Sequence, residues 1–137
     1  MQHPRPLGVY ETALYASDVA AAAAFYEQLL GLQPLPGLGN LGAAFRLPDG
    51  GMLLIFDPEQ STTPGRQIPS HGATGEGHVA FSVGPGGLEA FAAELRRREI
   101  AIESAVDWPE GGRSIYIRDP AGNSVELIEG EAWPDRR

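Results

Sequence analysis

The chain has 137 residues, of which 42% are hydrophobic and 20% charged, and its formal net charge at pH 7 is −8. This composition is typical of a globular protein large enough to bury a core. The negative charge argues against partners such as nucleic acid or an anionic membrane surface. Every basic residue is an arginine and there is no cysteine, which excludes lysine Schiff bases, thiol nucleophiles, disulfides and thiolate metal sites.

No secretory or membrane-spanning segment is recognisable in the sequence. Residues 1–8 are polar and rich in proline, without the apolar stretch of a signal peptide. No segment approaches the ~20 apolar residues that a membrane span needs. We therefore expect a cytoplasmic protein with no membrane or nucleic-acid partner.

The first half of the chain predicts a strand, a helix and two further strands. Alternation indicates a strand over residues 11–16, and Asp18 is a good N-cap for an alanine-rich helix over residues 18–32. Phe25, Leu29 and Leu32 form the apolar stripe of that helix. Two short strands, 43–47 and 52–57, follow.

The second half repeats this order. We predict a strand over residues 78–83, a helix over 88–99, a strand over 100–106, and a hairpin of strands 113–118 and 124–129. Between the halves, residues 58–77 are rich in Pro, Gly, Ser and Thr and show no periodicity, which is typical of a linker. A single domain of two βαβββ modules, about 8–57 and 78–130, is predicted.

Superposing the two halves brings potential metal ligands to equivalent positions. Glu11 lies opposite His78, and Leu54 lies opposite Glu126. Strand alternation places Ser114, Tyr116 and Arg118 on the same face as Glu126, and His78 on the face away from its helix. The simpler interpretation is that Glu11 is a solvated edge-strand residue and His78 a hydrogen-bonded core histidine.

The chain resembles the vicinal oxygen chelate superfamily, which includes glyoxalase I, fosfomycin-resistance and bleomycin-resistance proteins and extradiol dioxygenases. The segments that carry the resemblance are LYASD at 14–18, FYEQLLGL at 25–32, GHVAF at 77–81 and YIRDPAGNSVEL at 116–127. The resemblance implies an α+β fold in which two βαβββ modules form an incurved mixed, mostly antiparallel sheet, with helices on its outer face, around a divalent metal.

The resemblance also implies a ligand set. The family's metal ligands correspond to Glu11, Leu54, His78 and Glu126 in this sequence. Glu11 stands where many members have His, and Leu54 stands where glyoxalase I has a fourth ligand that helps proton abstraction. The implied metal site is therefore Glu11, His78 and Glu126, holding one divalent ion such as Mn, Fe(II), Ni or Zn.

By this resemblance, we expect a metal-dependent enzyme acting on a small substrate that chelates the ion through neighbouring oxygens. The reaction, whether lyase, isomerase, dioxygenase-type or transferase, is left open. Tyr116 is a candidate acid or hydrogen-bond donor, or a cavity-lining residue. His71 is a candidate proton shuttle, or a solvated linker histidine. The candidate substrate-binding residues are Arg113, Arg118, Tyr15 and Leu54, with hairpin salt bridges as the alternative role of the arginines.

A second hypothesis is a metal-free protein that sequesters a drug, as bleomycin-resistance proteins do, which the acidic composition suits. A third is a degenerate relative whose sheet only holds a dimer. In every case the partners are a small-molecule substrate or drug and a second copy of the chain, because we expect apolar sheet surface and Trp133 to be covered in a homodimer.

Overall fold

The computed structural model describes residues 3–134 and consists of two compact units, which meet in sequence between Thr74 and Gly75. Each unit contains one four-stranded mixed sheet with helical segments, so the predicted α+β class and the repeat of the two halves are confirmed. Within residues 3–134, no helix has the length and apolar character that crossing a membrane requires.

The described part of the first unit, residues 3–74, contains four strands and two helices, with one 3-10 turn at Gly39–Leu41. In its sheet the order is β1-β4-β3-β2, with β1 parallel to β4 and the other pairs antiparallel. The elements are β1 (Glu11–Tyr15), α1 (Val19–Gln28), β2 (Gln33–Leu35), β3 (Gly42–Arg46), β4 (Met52–Phe56) and α2 (Pro58–Ser61).

The second unit repeats this sheet topology, with one helix in its described residues 75–134. Its sheet has the order β5-β8-β7-β6, and β5 is parallel to β8. The elements are β5 (His78–Val83), α3 (Gly87–Arg97), β6 (Ser104–Asp107), β7 (Arg113–Arg118) and β8 (Ser124–Glu129). Strands β5, β7 and β8 have the predicted bounds.

Helix α1 begins as the sequence predicts, because the Asp18 carboxylate accepts a hydrogen bond from the backbone N–H of Ala21. Its buried face differs in detail. Leu29 and Leu32 are buried, but Phe25 is only half-buried, and Tyr26 takes the most buried position, packed near Phe45 on β3. The buried side of α1 is therefore formed by Ala22 and Tyr26, while Leu29 and Leu32 are buried after the helix ends at Gln28.

The strand registers show that the two units are equivalent. In the first unit Ala13 on β1 pairs with Leu54 on β4, and in the second Ala80 on β5 pairs with Glu126 on β8. Glu11 precedes Ala13 by two residues, as His78 precedes Ala80. The superposition of Glu11 with His78 and of Leu54 with Glu126 thus holds in the folded backbone.

The segment after β4 is more ordered than a linker. Asp57 caps α2 by accepting from the backbone N–H of Glu59, and Pro58 occupies the first turn, where its missing N–H costs nothing. The backbone N–H of His71 then donates to the carbonyl of Ser61. Residues 58–74 therefore belong to the first unit.

Candidate functional site

The second unit brings His78 and Glu126 together. His78 begins the edge strand β5, and Glu126 lies in the middle of the neighbouring strand β8. His78 Nε2 lies 3.4 Å from Glu126 Oε1. The two residues differ in exposure, since Glu126 is 7% exposed and His78 is exposed. The pair thus joins a solvent-accessible imidazole to a buried carboxylate.

The contacts of the His78 ring indicate its tautomer, that is, which ring nitrogen carries the proton. Nδ1 lies 3.1 Å from the backbone carbonyl oxygen of Ser124. Because a carbonyl oxygen can only accept, Nδ1 carries the proton in this contact. Nε2 and the Glu126 oxygen are then two electron-rich atoms 3.4 Å apart. They repel unless a cation lies with them, either a proton on Nε2 or a metal ion.

This arrangement fits a divalent metal. Two ligands each about 2.1 Å from one ion in tetrahedral geometry are separated by about 3.4 Å, which is the spacing of these two atoms. A metal-binding histidine also commonly donates its other N–H to a carbonyl or carboxylate, as His78 does toward Ser124. His78 and Glu126 are therefore the residues of this unit that could hold a metal.

The buried carboxylate of Glu126 has a second, internal partner. The hydroxyl of Ser114 on β7 donates to Glu126 Oε2 at 2.6 Å, and Ser114 is itself 1% exposed. The indole N–H of Trp108 donates to the Ser114 hydroxyl oxygen at 2.8 Å. One carboxylate oxygen is thus bound inside the protein, while the other faces His78.

Tyr116 lies on the same face as this pair. It is the cross-strand partner of Glu126, and its ring stacks on that of His78 with 6.3 Å between centroids. Burial above all, and then the negative charge of Glu126 and a hydrogen bond with it, raise the pKa of the Tyr116 phenol above its ordinary value, against a smaller lowering by a hydrogen bond with Ser114. The phenol therefore keeps its proton at neutral pH and acts as a hydrogen-bond donor.

Among residues 3–134, the structure groups no larger set of acidic and imidazole side chains around this pair. Within the part of the chain that the structure describes, no three His, Asp or Glu side chains are grouped to hold a metal ion. Glu11 lies in the first unit, exposed at the beginning of β1. Its assignment as a third ligand stays a prediction.

In the first unit, Tyr15 and His71 form a second polar contact. The Tyr15 phenol oxygen lies 2.7 Å from His71 Nδ1. The His71 ring also contacts Phe56 edge-on, with 4.5 Å between centroids. Leu54 lies nearby in sequence on β4 and is buried with Ala44 and Phe56 in an apolar cluster that Tyr15 borders. The Leu54 position thus has no group that could ligate a metal.

The two candidate arginines are engaged in ion pairs. Arg118 pairs with Glu103 at 2.8 Å and with Glu76 at 2.9 Å. Arg113 pairs with Asp107 at 2.9 Å and lines a groove beside α3, on the sheet face opposite Glu126. Their assignment as substrate-binding residues stays a prediction.

Sequence patterning finds Ser114, since alternation places it on the face of Glu126. It does not find Trp108. That residue follows β6, and its side chain reaches Ser114 only because the turn between β6 and β7 is closed by a backbone hydrogen bond from the N–H of Trp108 to the carbonyl of Gly112. The sequence offers one signal for Trp108: it precedes the glycine pair at 111–112, which predicts a tight turn next to β7, and a buried indole N–H usually has a hydrogen-bond partner.

Known proteins similar to the chain agree with this fold. A crystal structure of lactoylglutathione lyase from Agrobacterium tumefaciens has a TM-score of 0.88 and 40% identity, covering 96% of this chain and 100% of that one. A glyoxalase/dioxygenase structure from Nostoc punctiforme has a TM-score of 0.70 and 28% identity, covering 96% and 98%. The metallothiol transferase FosB of Shouchella clausii (strain KSM-K16) is 27% identical over 90% of this chain and 80% of its own length.

The family model described as the Glyoxalase/Bleomycin resistance protein/Dioxygenase superfamily matches residues 8–127. That range includes the first sheet, all but the last two residues of the second, and the residues His78, Ser114, Tyr116 and Glu126. The match agrees with the resemblance seen in the sequence and with the repeated strand registers of the two units. The chain therefore belongs to the glyoxalase/bleomycin resistance protein/dioxygenase superfamily.

Proposed function

We propose that the chain is a metal-dependent enzyme acting on a small substrate that chelates the ion through two neighbouring oxygens. His78 and Glu126 hold the ion, and Glu11 supplies the third ligand. One His and two carboxylates suit Mn, Fe(II), Ni or Zn. The observation that carries the proposal is the 3.4 Å pair of His78 and Glu126, whose two facing atoms require a cation.

When bound, the ion supplies a Lewis acid that stabilises negative charge developing on a substrate oxygen. The chain's own residues have separate roles. Tyr116 keeps its phenol proton because its pKa is raised, and it lies against the His78 ring, so it can turn its hydrogen bond from Glu126 to a substrate oxygen beside the ion. Ser114 occupies the inner oxygen of Glu126 and leaves the other oxygen free.

The remaining proposed residues come from both units, with Tyr15, Leu54 and His71 in the first. Tyr15 and Leu54 contact the apolar part of the substrate, and His71, hydrogen-bonded to Tyr15, moves a proton. In the second unit, Arg118 is proposed as an anion-binding residue that would first have to leave its carboxylate partners, while Arg113, on the sheet face opposite Glu126, is proposed to keep its salt bridge with Asp107. Because Leu54 is apolar, it cannot supply the fourth ligand of glyoxalase I, and a proton-abstraction step that depends on that ligand is disfavoured.

The test is elemental analysis of untagged protein after exchange into metal-free buffer and reloading with Mn, Fe(II), Ni or Zn. We expect one ion per chain in the unaltered protein and a loss of binding in His78→Ala and Glu11→Ala. The matched controls are His3→Ala and Glu27→Ala, which remove exposed residues of the same two types. Both controls should retain the full stoichiometry.

The outcome also decides between the two surviving functions. Absence of binding for all four ions would refute the enzyme proposal and favour a metal-free protein that sequesters a drug. The net charge of −8 and the apolar cluster around Leu54 would suit a ligand that is cationic and partly apolar. Retention of metal in Glu11→Ala alone would remove Glu11 from the ligand set and leave the pair in place.

Loaded protein can then be assayed on substrates of the relatives' reaction classes. Lactoylglutathione is the first to test, because the relative of 40% identity is named a lyase for it. A thiol-transfer assay comes second, because of the likeness to FosB. Leu54 cannot serve as a fourth ligand. Turnover of lactoylglutathione by this chain would therefore mean that Tyr116 or His71 takes over the role that this ligand has in proton abstraction.

We also propose a homodimer. Several large apolar side chains are exposed in the chain, among them Leu7, Val9 and Tyr10 before β1, and Trp133. Burying such residues is favourable by about 25 cal/mol per Å² of apolar surface. Analytical ultracentrifugation should give twice the mass of 14.6 kDa, and sedimentation as a monomer at micromolar concentration would contradict this part of the proposal.

A further inference from the structure

We propose that Ser114 and Trp108 position the Glu126 carboxylate. The Trp108 indole donates to Ser114, and Ser114 donates to Oε2 of Glu126, so that only Oε1 is presented to the metal. This inference rests on the proposed function of the His78–Glu126 pair. In this role neither Ser114 nor Trp108 contacts the substrate or the metal. Both act through Glu126.

The direction of the chain follows from its donors. A tryptophan indole can only donate, so Ser114 Oγ accepts at the 2.8 Å contact with Trp108. The single hydroxyl proton of Ser114 is then free to point at Glu126 Oε2, which is 2.6 Å away and can accept it. Without the indole, the serine hydroxyl could rotate. With it, the hydroxyl proton cannot turn toward Trp108, and Glu126 Oε2, 2.6 Å away on the other side, is the charged acceptor that it meets.

Burial makes this contact consequential. Ser114 is 1% exposed and Glu126 is 7% exposed, so water has little access to replace the hydroxyl. A hydrogen bond to a charged acceptor at 2.6 Å is short and strong. Losing it leaves Oε2 without this donor, and the carboxylate can recover a partner by turning away from His78 or by shifting its existing hydrogen bond with the Tyr116 phenol to Oε2. Either change disturbs the spacing to His78 Nε2.

The position of Trp108 is itself fixed by the backbone. Its N–H donates to the carbonyl of Gly112 at 2.8 Å, and its carbonyl accepts from Gly111 at 3.0 Å, which closes the turn between β6 and β7. A side chain at Gly112 would meet the backbone of Glu131 at 2.5 Å, so this turn admits little adjustment. The indole is therefore held by the turn and Ser114 by the sheet.

Calorimetric titration of metal-free protein with Zn or Mn tests the proposal. We expect Ser114→Ala to weaken binding by about 10- to 100-fold, the usual effect of losing a group that orients a metal ligand. Trp108→Phe, which keeps an aromatic ring but removes the N–H, should weaken it by a smaller factor. Ser114→Thr retains the hydroxyl and should restore most of the affinity. Binding within about twofold of the unaltered protein in Ser114→Ala would overturn the proposal.

Ser61→Ala is the matched control. Ser61 is also buried, but its hydroxyl has no hydrogen-bond partner among the residues that the structure describes, so its removal deletes the same group without breaking a contact. It should leave metal affinity unchanged. An equal loss of affinity in Ser61→Ala and Ser114→Ala would show a general effect of removing buried hydroxyls and would overturn the positioning role.

A second readout does not need metal. The crystal structure of metal-free Ser114→Ala should show the Glu126 carboxylate rotated, with Oε1 no longer 3.4 Å from His78 Nε2. An unchanged carboxylate would contradict the inference. If the unaltered protein binds no ion, the proposed enzyme function fails, and this structure still decides whether Ser114 orients Glu126.

Discussion

The phenol oxygen of Tyr15 lies 2.7 Å from Nδ1 of His71, which joins strand β1 to a residue 56 positions later in a segment without periodicity. The contact is part-buried and is reinforced by Phe56, whose ring meets the His71 ring edge-on. This hydrogen bond holds the segment that follows α2 against the sheet of the first unit.

We expect Tyr15→Phe to lower the free energy of unfolding by about 1 kcal/mol, the usual contribution of one hydrogen bond. His71→Ala should cost more, because it also removes the ring contact with Phe56. Urea denaturation of both variants and of the double variant gives a coupling energy, expected at about 0.5–1.5 kcal/mol. Tyr10→Phe, at an exposed tyrosine, is the control and should have no effect. Additive losses in the double variant would contradict a direct Tyr15–His71 bond.

Contacts such as this one mark the limit of what the sequence predicts. Strands β5, β7 and β8 could be bounded from the sequence because their residues alternate and clear turn signals flank them. Strand β2 could not, since Gln33–Leu35 is three residues long and contains a proline. His71 lies in an aperiodic segment, and nothing local specifies that its partner is Tyr15.

The candidate site divides in the same way. The common face of Glu126, Tyr116 and Ser114 follows from alternation in two strands whose register the hairpin fixes. Alternation does not predict the tautomer of His78, which depends on the Ser124 carbonyl, or the position of the Trp108 indole, which depends on the β6–β7 turn. Both backbone features take their positions only in the folded unit.

The turn between β7 and β8 supports the strand that carries His78. Asp119 and Asn123 are both buried. Asp119 Oδ1 accepts from the backbone N–H groups of Ala121 and Asn123, and its Oδ2 accepts from the Asn123 side chain. Asn123 Oδ1 accepts from the N–H of Gly77 at 2.8 Å, directly before β5.

Asn123→Ala should therefore lower the free energy of unfolding by about 2–3 kcal/mol, because it leaves a buried carboxylate oxygen and the Gly77 N–H without this partner. Metal affinity should fall with it, since Gly77 precedes His78. Asp49→Ala, in an exposed turn with one backbone bond to Gly51, is the control and should cost under about 1 kcal/mol. Equal losses in the two turns would contradict this role of Asn123. Chemical denaturation and calorimetric titration measure the two effects.

Gly42 is required by the close approach of β3 to β4. A side chain there would place its first carbon 1.9 Å from the backbone carbonyl oxygen of Ile55. Because backbone cannot move aside as a flexible side chain can, Gly42→Ala should cost more than about 3 kcal/mol or prevent folding. Gly84→Ala, where the space is open and φ is not positive, should change stability by less than about 0.5 kcal/mol. Thermal denaturation separates the two, and a folded, unperturbed Gly42→Ala would refute the predicted clash.

The carboxylate of Glu94 on α3 should titrate far below its ordinary range. Hydrogen bonds, first from Arg97 and then from Arg98, lower its pKa from 4.5 to about 2. A carboxyl whose pKa is lower in the folded state stabilises the fold fully above about pH 4.5, and this contribution is lost as the pH falls toward 2. The Glu94 side chain is only partly buried and its arginine partners reach solvent, so the effect on stability should be small.

Carbon-13 NMR of the Glu94 carboxyl therefore measures this better than denaturation does. Arg97→Gln should raise the pKa of Glu94 more than Arg98→Gln, because the Arg97 hydrogen bond is the larger cause. Arg96→Gln, which removes a neighbouring charge of the same sign without a hydrogen bond to Glu94, is the control and should have the smallest effect. An equal rise in all three variants would mean that the net positive charge of this end of α3, and not the Arg97 contact, lowers the pKa.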